Sequence, residues 1–167
     1  MYSHVYFHPL RRIYDIHLRD FLREWLQGGR FSVDVGDHLK MTDNEAGVAL
    51  RAAADDPGAR GHDAARRIEG RDHYRVCYSR NPNDVSVNPD AGKAVFSAAS
   101  EKFGTSSVRH DKYSQKGGSL SFPVRMRNGD VVSALAASEA LPNLPVVATD
   151  YVFIDRGLLG EAPISTG

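Results

Sequence analysis

The sequence predicts an α+β fold: an N-terminal helical segment, then a mostly antiparallel sheet with helices on one face. Three observations carry this. Up to residue 71, apolar residues recur in steps of three and four, the period of helices with one buried face. Beyond it the texture changes to short alternating runs rich in Val and Tyr. Helix and strand patterns are segregated along the chain instead of alternating as βα units. The 167 residues therefore divide into a helical segment, 1–71, an α+β lobe, 72–155, and a loose tail, 156–167. No long linker separates the two lobes, so they can share a core.

The first predicted helix covers residues 5–26, VYFHPLRRIYDIHLRDFLREWL. Its apolar positions are Leu10, Ile13, Tyr14, Ile16, Leu18, Phe21, Leu22, Trp25 and Leu26. Arg and Asp fill the other positions, and Gly28-Gly29 supplies the stop. An irregular stretch, RFSVDVGD, follows. The second helix, 42–54, opens with Thr42 and Glu45 in the relation of a capping box. It presents Ala46, Val48, Ala49, Leu50, Ala52 and Ala53, and Asp55-Asp56-Pro57-Gly58 ends it. A third helix runs from residue 63 to 69.

HYRVCYS, 73–79, reads as a strand, and Asn81-Pro82-Asn83-Asp84 as a turn. Asn88-Pro89 opens a helix as cap and first-turn proline. Ala94, Val95, Ala98 and Phe103 form its inner face, and Gly104 closes it. Strands follow at 106–113 and 120–126. Asn128-Gly129 signals a type I′ hairpin to 131–136. A brief helix at 137–142 leads to the last strand, 146–155.

Lys and Arg balance Asp and Glu at 21 each. There is therefore no global pull toward nucleic acid or membrane surfaces. No run of about 18 apolar residues predicts a membrane span. The first residues lack the order of a signal peptide, and Cys77 is the single cysteine, read as a buried, inert thiol. These features together point to the cytoplasm.

Seven histidines and many aspartates invite a metal reading. His38, His62, Asp63 and Asp111 follow one another in the order H…HD…D, and a metal held by such ligands would activate water. Against this, His62-Asp63 reads as a helix N-terminus, and His110-Asp111 lies in a strand whose neighbours point to opposite faces. His17 and Asp20 share a helix face. Arg66, Arg67, Arg71 and Arg75 cluster where the helical segment meets the lobe. Guanidinium forks there suit phosphate, and ion pairing with Glu69 and Asp72 is the plainer account. No P-loop, GxGxxG, G-x-S-x-G or H-E-x-x-H occurs.

VYFHPLRRIYDIHLRDFL, HLKMTDNE, ARRIEGRDHYRV, FPVRMRNGDVVSALAASE and VVATDYVFID, taken together, resemble the C-terminal part of bacterial HD-domain proteins. These belong to the metal-dependent phosphohydrolase superfamily that includes dNTP triphosphohydrolases. The likeness covers about residues 4 to 155. In that family the metal ligands lie upstream of the stretch matching VYFH. The resemblance therefore implies a divalent metal for the full-length family, no cofactor on this chain and no catalytic residue to carry over. It also implies that helix 5–26 is an interior helix, leaning on a catalytic HD lobe or on another copy. In the triphosphohydrolase branch, the segment matching Arg71-x-x-x-Arg75 contacts an activating nucleotide between subunits; Pro9 stands where that branch often has a lysine.

The expectation is a C-terminal fragment of an HD-domain phosphohydrolase, non-catalytic on its own. It would oligomerise or bind a nucleotide phosphate through Arg67, Arg71 and Arg75. The alternatives are a stand-alone interaction module and a small metalloenzyme built on His38, His62, Asp63 and Asp111.

Overall fold

The computed structural model describes residues 7–81, 87–114, 122–138 and 148–161. In chain order the helices are α1 (Pro9–Trp25), α2 (Val35–Lys40), α3 (Asp43–Asp55), α4 (His62–Glu69), α5 (Ala91–Phe103) and α6 (Ala134–Ala137). The strands are β1 (Arg75–Ser79), β2 (Val108–Ser114), β3 (Pro123–Arg125), β4 (Val131–Ser133) and β5 (Ala148–Ile154). The class is α+β. β1, β5 and β2 form an antiparallel sheet with β5 in the middle, and β3 pairs with β4 in a separate hairpin.

α1 is the spine. It begins at Pro9, later than its apolar pattern suggests. His8 caps it, its Nδ1 accepting the N–H of Leu10 at 3.2 Å, and Pro9 takes the first turn, where a missing N–H costs nothing. At the other end Gly28 and Gly29 adopt φ of 66° and 69°, which turns the chain away. The C-terminal half of α1 packs Phe21 against Leu50 and Ala53 of α3 and Ala64 and Ala65 of α4. Its N-terminal half packs Ile13 and Ile16 against Tyr74 and Phe153. One helix thus belongs to both cores, and the junction at residue 71 is bridged by it.

The sheet refines the expectation, because a helix covers each face. β2 alternates. Arg109, Asp111 and Tyr113 point to α1 and the residues before it, meeting Asp20, Arg12 and Phe7. His110 points the other way and stacks on Phe96 of α5, centroids 5.4 Å apart. Val152, Phe153 and Ile154 of β5 are fully buried, as a central strand between two layers requires.

Several local expectations hold. The capping box of α3 forms, with Thr42 and Glu45 bonding reciprocally, and Gly104 ends α5. Others are corrected. RFSVDVGD is not all irregular: Asp34 caps a six-residue helix, its carboxylate accepting the N–H of Asp37 at 3.0 Å. Asn88-Pro89 makes a turn ahead of α5, and Asp90 takes the cap position. The inner face of α5 is set by Gly92 and Phe96, so Ala94 and Ala98 are exposed. In α3, Val48 and Ala52 are likewise exposed.

The β3–β4 turn is not type I′, because Asn128 lacks the positive φ that type requires. Gly129, at φ 92°, closes a three-residue loop in which Met126 and Asp130 still pair. The tail opens with a 3₁₀ helix, Arg156–Glu161. Residues 5 and 6 of the first predicted helix, most of the 81–84 turn and most of the 137–142 helix lie outside the described residues.

Candidate functional site

Where α1, α4 and the ends of β2 and β5 converge, they leave an open cleft of about 560 Å³. Its walls include His17, Asp20, Arg67, Tyr74, Arg109 and Asp155. Tyr74 is the anchor. It is buried, and its hydroxyl donates to the Ser106 carbonyl at 2.7 Å. Its ring carries two guanidinium groups, Arg67 at 4.4 Å and Arg109 at 5.4 Å from the centroid, both in cation–π range.

Each arginine is aimed by a carboxylate. Arg67 Nη2 donates to Asp155 at 2.7 Å, and its Nη1 reaches the Asp72 carbonyl at 3.3 Å. Arg109 Nε donates to Asp20 at 3.2 Å, and its Nη1 bonds the Ser106 and Val108 carbonyls, both at 3.0 Å. Burial works to raise the Asp155 carboxyl, but the Gly157 N–H and Arg67 outweigh it and hold Asp155 below the usual carboxylate range.

His17 lies beside Tyr74 and is 2% exposed. Its Nε2 accepts the Tyr74 N–H at 3.4 Å, and its ring meets Tyr74 edge-on, centroids 5.1 Å apart. Burial, and then the fields of Arg67 and Arg109, push its pKa down to about 4. The imidazole is therefore neutral at pH 7 and serves as a fixed acceptor. The lining as a whole is mixed: Arg23, Arg67 and Arg109 are balanced by Asp20, Glu24, Asp63 and Asp155. This is a cleft of oriented guanidinium groups backed by acids, with no net cationic excess.

Of the three arginines expected to bind phosphate, Arg67 is in this wall and Arg71 and Arg75 lie outside it. Arg71 is exposed on the turn after α4, at φ 53°. Arg75, at the start of β1, places Nη1 3.2 Å from His73 Nε2. The ion pairing expected for the cluster occurs at Arg66, 3.5 Å from Asp72.

The four residues in H…HD…D order do not converge. His62 Nδ1 lies 2.8 Å from the Ala53 carbonyl. Asp111 is held by both branches of Arg12 at 2.7 Å, and His38 faces Phe31. Among the described residues no group of three or more His, Cys, Asp or Glu is placed to hold a metal. A divalent metal of the kind the resemblance implies finds no fitting donor set there.

Asp20 stands three residues from His17 as the pattern indicated, and both line the cleft. Arg109, Tyr74 and Asp155 were not singled out. The usable signal for Arg109 was strand alternation: it puts Arg109 and Asp111, of opposite charge, on the face opposite to His110.

No family model and no curated protein matches the sequence. Solved structures do. A hypothetical protein from Aquifex aeolicus superposes with a TM-score of 0.72 at 24% identity, over 97% of this chain and 40% of its own. A phosphohydrolase from Bacteroides thetaiotaomicron VPI-5482 superposes with a TM-score of 0.51 at 16% identity, over 93% of this chain and 47% of its own. At these identities the likeness is one of fold. The chain spans less than half the length of either neighbour. Among the described residues no helix is long and apolar enough to cross a membrane.

Proposed function

We propose that this chain is the C-terminal, non-catalytic part of an HD-domain phosphohydrolase, and that its own task is to bind a phosphate-bearing ligand, a nucleotide in the first instance. The observation that carries this is the Arg67–Tyr74–Arg109 arrangement: two guanidinium groups fixed within cation–π range of one buried ring, with a neutral acceptor beside it. Support comes from the fold shared with a phosphohydrolase more than twice as long as the matched part.

An entering phosphate would exchange with Asp20 and Asp155 for guanidinium donors, so binding is modest and sensitive to salt. The proposal puts the weight of the site on Arg67 with Arg109. Arg71 and Arg75 are proposed as further phosphate contacts on the surface outside the cleft. Association, with a catalytic lobe or with another copy, is assigned to residues 5–26.

The test is calorimetric titration with a deoxynucleoside triphosphate and, separately, with pyrophosphate. Arg67→Ala and Arg109→Ala should each weaken binding roughly tenfold or more, the loss of a charge-assisted hydrogen bond. Unchanged binding in both variants would overturn the site. Turnover of the nucleotide by a clean preparation carrying stoichiometric Mn, Fe or Ni would overturn the non-catalytic assignment.

A further inference from the structure

We infer that Asp155 is a latch: a phosphate taken by Arg67 displaces the Asp155 carboxylate and releases the 3₁₀ turn, Arg156–Glu161, that this carboxylate caps. The inference rests on the phosphate reading of the cleft and adds to it a response of the fold to occupation.

Asp155 stands where β5 ends, and each of its polar atoms is engaged. Its N–H donates to the carbonyl of Ser107, a cleft residue, at 2.9 Å. Its own carbonyl accepts the Leu158 N–H at 3.0 Å. The two carboxylate oxygens are divided. Oδ2 accepts from Arg67 Nη2 at 2.7 Å, and Oδ1 accepts the Gly157 N–H at 3.0 Å. One rigid carboxylate thus holds a cleft guanidinium on one side and the first turn of the 3₁₀ segment on the other. That segment lies against β1, with Leu158 and Leu159 half-buried.

The anchors decide which partner yields. Arg67 keeps two without Asp155: the Asp72 carbonyl, 3.3 Å from Nη1, and the Tyr74 ring. An incoming phosphate takes the Nη2 donor, and its negative charge then stands beside the Asp155 carboxylate. Like charges at close range in a half-buried setting repel strongly. The carboxylate swings away, and because its oxygens move together, Oδ1 leaves the Gly157 N–H. A first turn without its cap frays, and a six-residue 3₁₀ run, whose hydrogen bonds are poorly aligned, opens readily. Asp20, the partner of Arg109, sits within α1, so its displacement moves a side chain and no backbone. The coupling is reciprocal: freeing Arg67 from its carboxylate strengthens the ligand.

The test is hydrogen exchange at the Gly157 and Leu158 amides of the full chain, with and without saturating pyrophosphate, alongside calorimetry. In the wild type, pyrophosphate should speed exchange at both amides roughly tenfold. Asp155→Asn keeps an oxygen for the Gly157 N–H and offers Arg67 no charge. It should bind pyrophosphate roughly tenfold more tightly than the wild type, and its Gly157 and Leu158 amides should not respond. The wild-type exchange decides the latch on its own, whatever the variant's fold. A wild type that binds with both amides unchanged overturns the latch and leaves the cleft reading standing. So does an Asn variant that binds no more tightly than the wild type. No binding by either protein overturns the cleft reading itself, and the latch with it.

Discussion

Acidification tests the cleft's internal electrostatics. His17 has a native pKa of about 4 against an ordinary value of 6.5. Between these values the unfolded chain binds a proton that the native chain refuses, so stability rises with pH there and is lost as pH falls toward 4. From pH 7 to pH 5 the loss from this group alone is about 2 kcal/mol, growing to about 3 kcal/mol below pH 4. The physical cause is first burial, then the fields of Arg67 and Arg109, with Asp20 opposing them. His73, also pushed down by burial and by Arg75, adds to the same slope. The assay is urea unfolding at pH 7 and pH 5 for the wild type and His17→Gln, which keeps an acceptor for Tyr74 but cannot titrate. The difference between their pH slopes isolates His17, and an NMR titration of its ring gives the pKa directly. Equal slopes, or an imidazole titrating near 6.5, would refute the reasoning.

Two further outcomes follow from packing. A Cβ added at Gly92 would fall inside the Asp150 carboxylate, which is 1% exposed and held by His110 at 2.7 Å. Gly92→Ala should therefore cost about 1–3 kcal/mol in chemical denaturation. Gly47→Ala, which meets nothing within 4 Å, should be neutral or gain up to about 1 kcal/mol. Arg12 and Asp111 form a two-branched pair joining α1 to β2. Removing Arg12 leaves a buried carboxylate alone and should cost about 3 kcal/mol, whereas Arg12→Met with Asp111→Leu should recover most of it; equal losses in the single and double variants would show that the pair itself, and not a stranded carboxylate, carries the stability.

Local features were legible in the sequence, and non-local ones were not. The capping box of Thr42 and Glu45, the closing Gly104 and the alternation at His110-Asp111 are each decided within a few residues, and each is present. The α2 helix carries only one cap residue, Asp34, and one apolar pair, Val35 and Leu39, too short a pattern to mark a helix; none of its residues is buried. The face of α5 was misread because it is chosen by its partners, Asp150 for Gly92 and His110 for Phe96. Leu10 and Leu18 match the helical period of the inner face yet lie exposed, so period alone did not separate the core side of α1 from its outer strip. The cleft is the extreme case. Arg67 meets Asp155 across 88 positions, and Arg109 meets Asp20 across 89. The sequence marks Arg67 through its neighbours, and His17 and Asp20 through their spacing on one helix. The working companion of Arg67, Arg109, becomes visible once β2 is laid against α1.

The central claim is that Arg67 and Arg109, over Tyr74, form the phosphate-binding site of this chain. The most direct measurement is an amide and imidazole NMR map of the full chain during titration with a deoxynucleoside triphosphate. The account predicts saturable shifts centred on Tyr74, His17 and the 106–109 backbone, absent in the Arg67→Ala, Arg109→Ala double variant. Saturable shifts centred elsewhere, or none at saturating nucleotide, would contradict it.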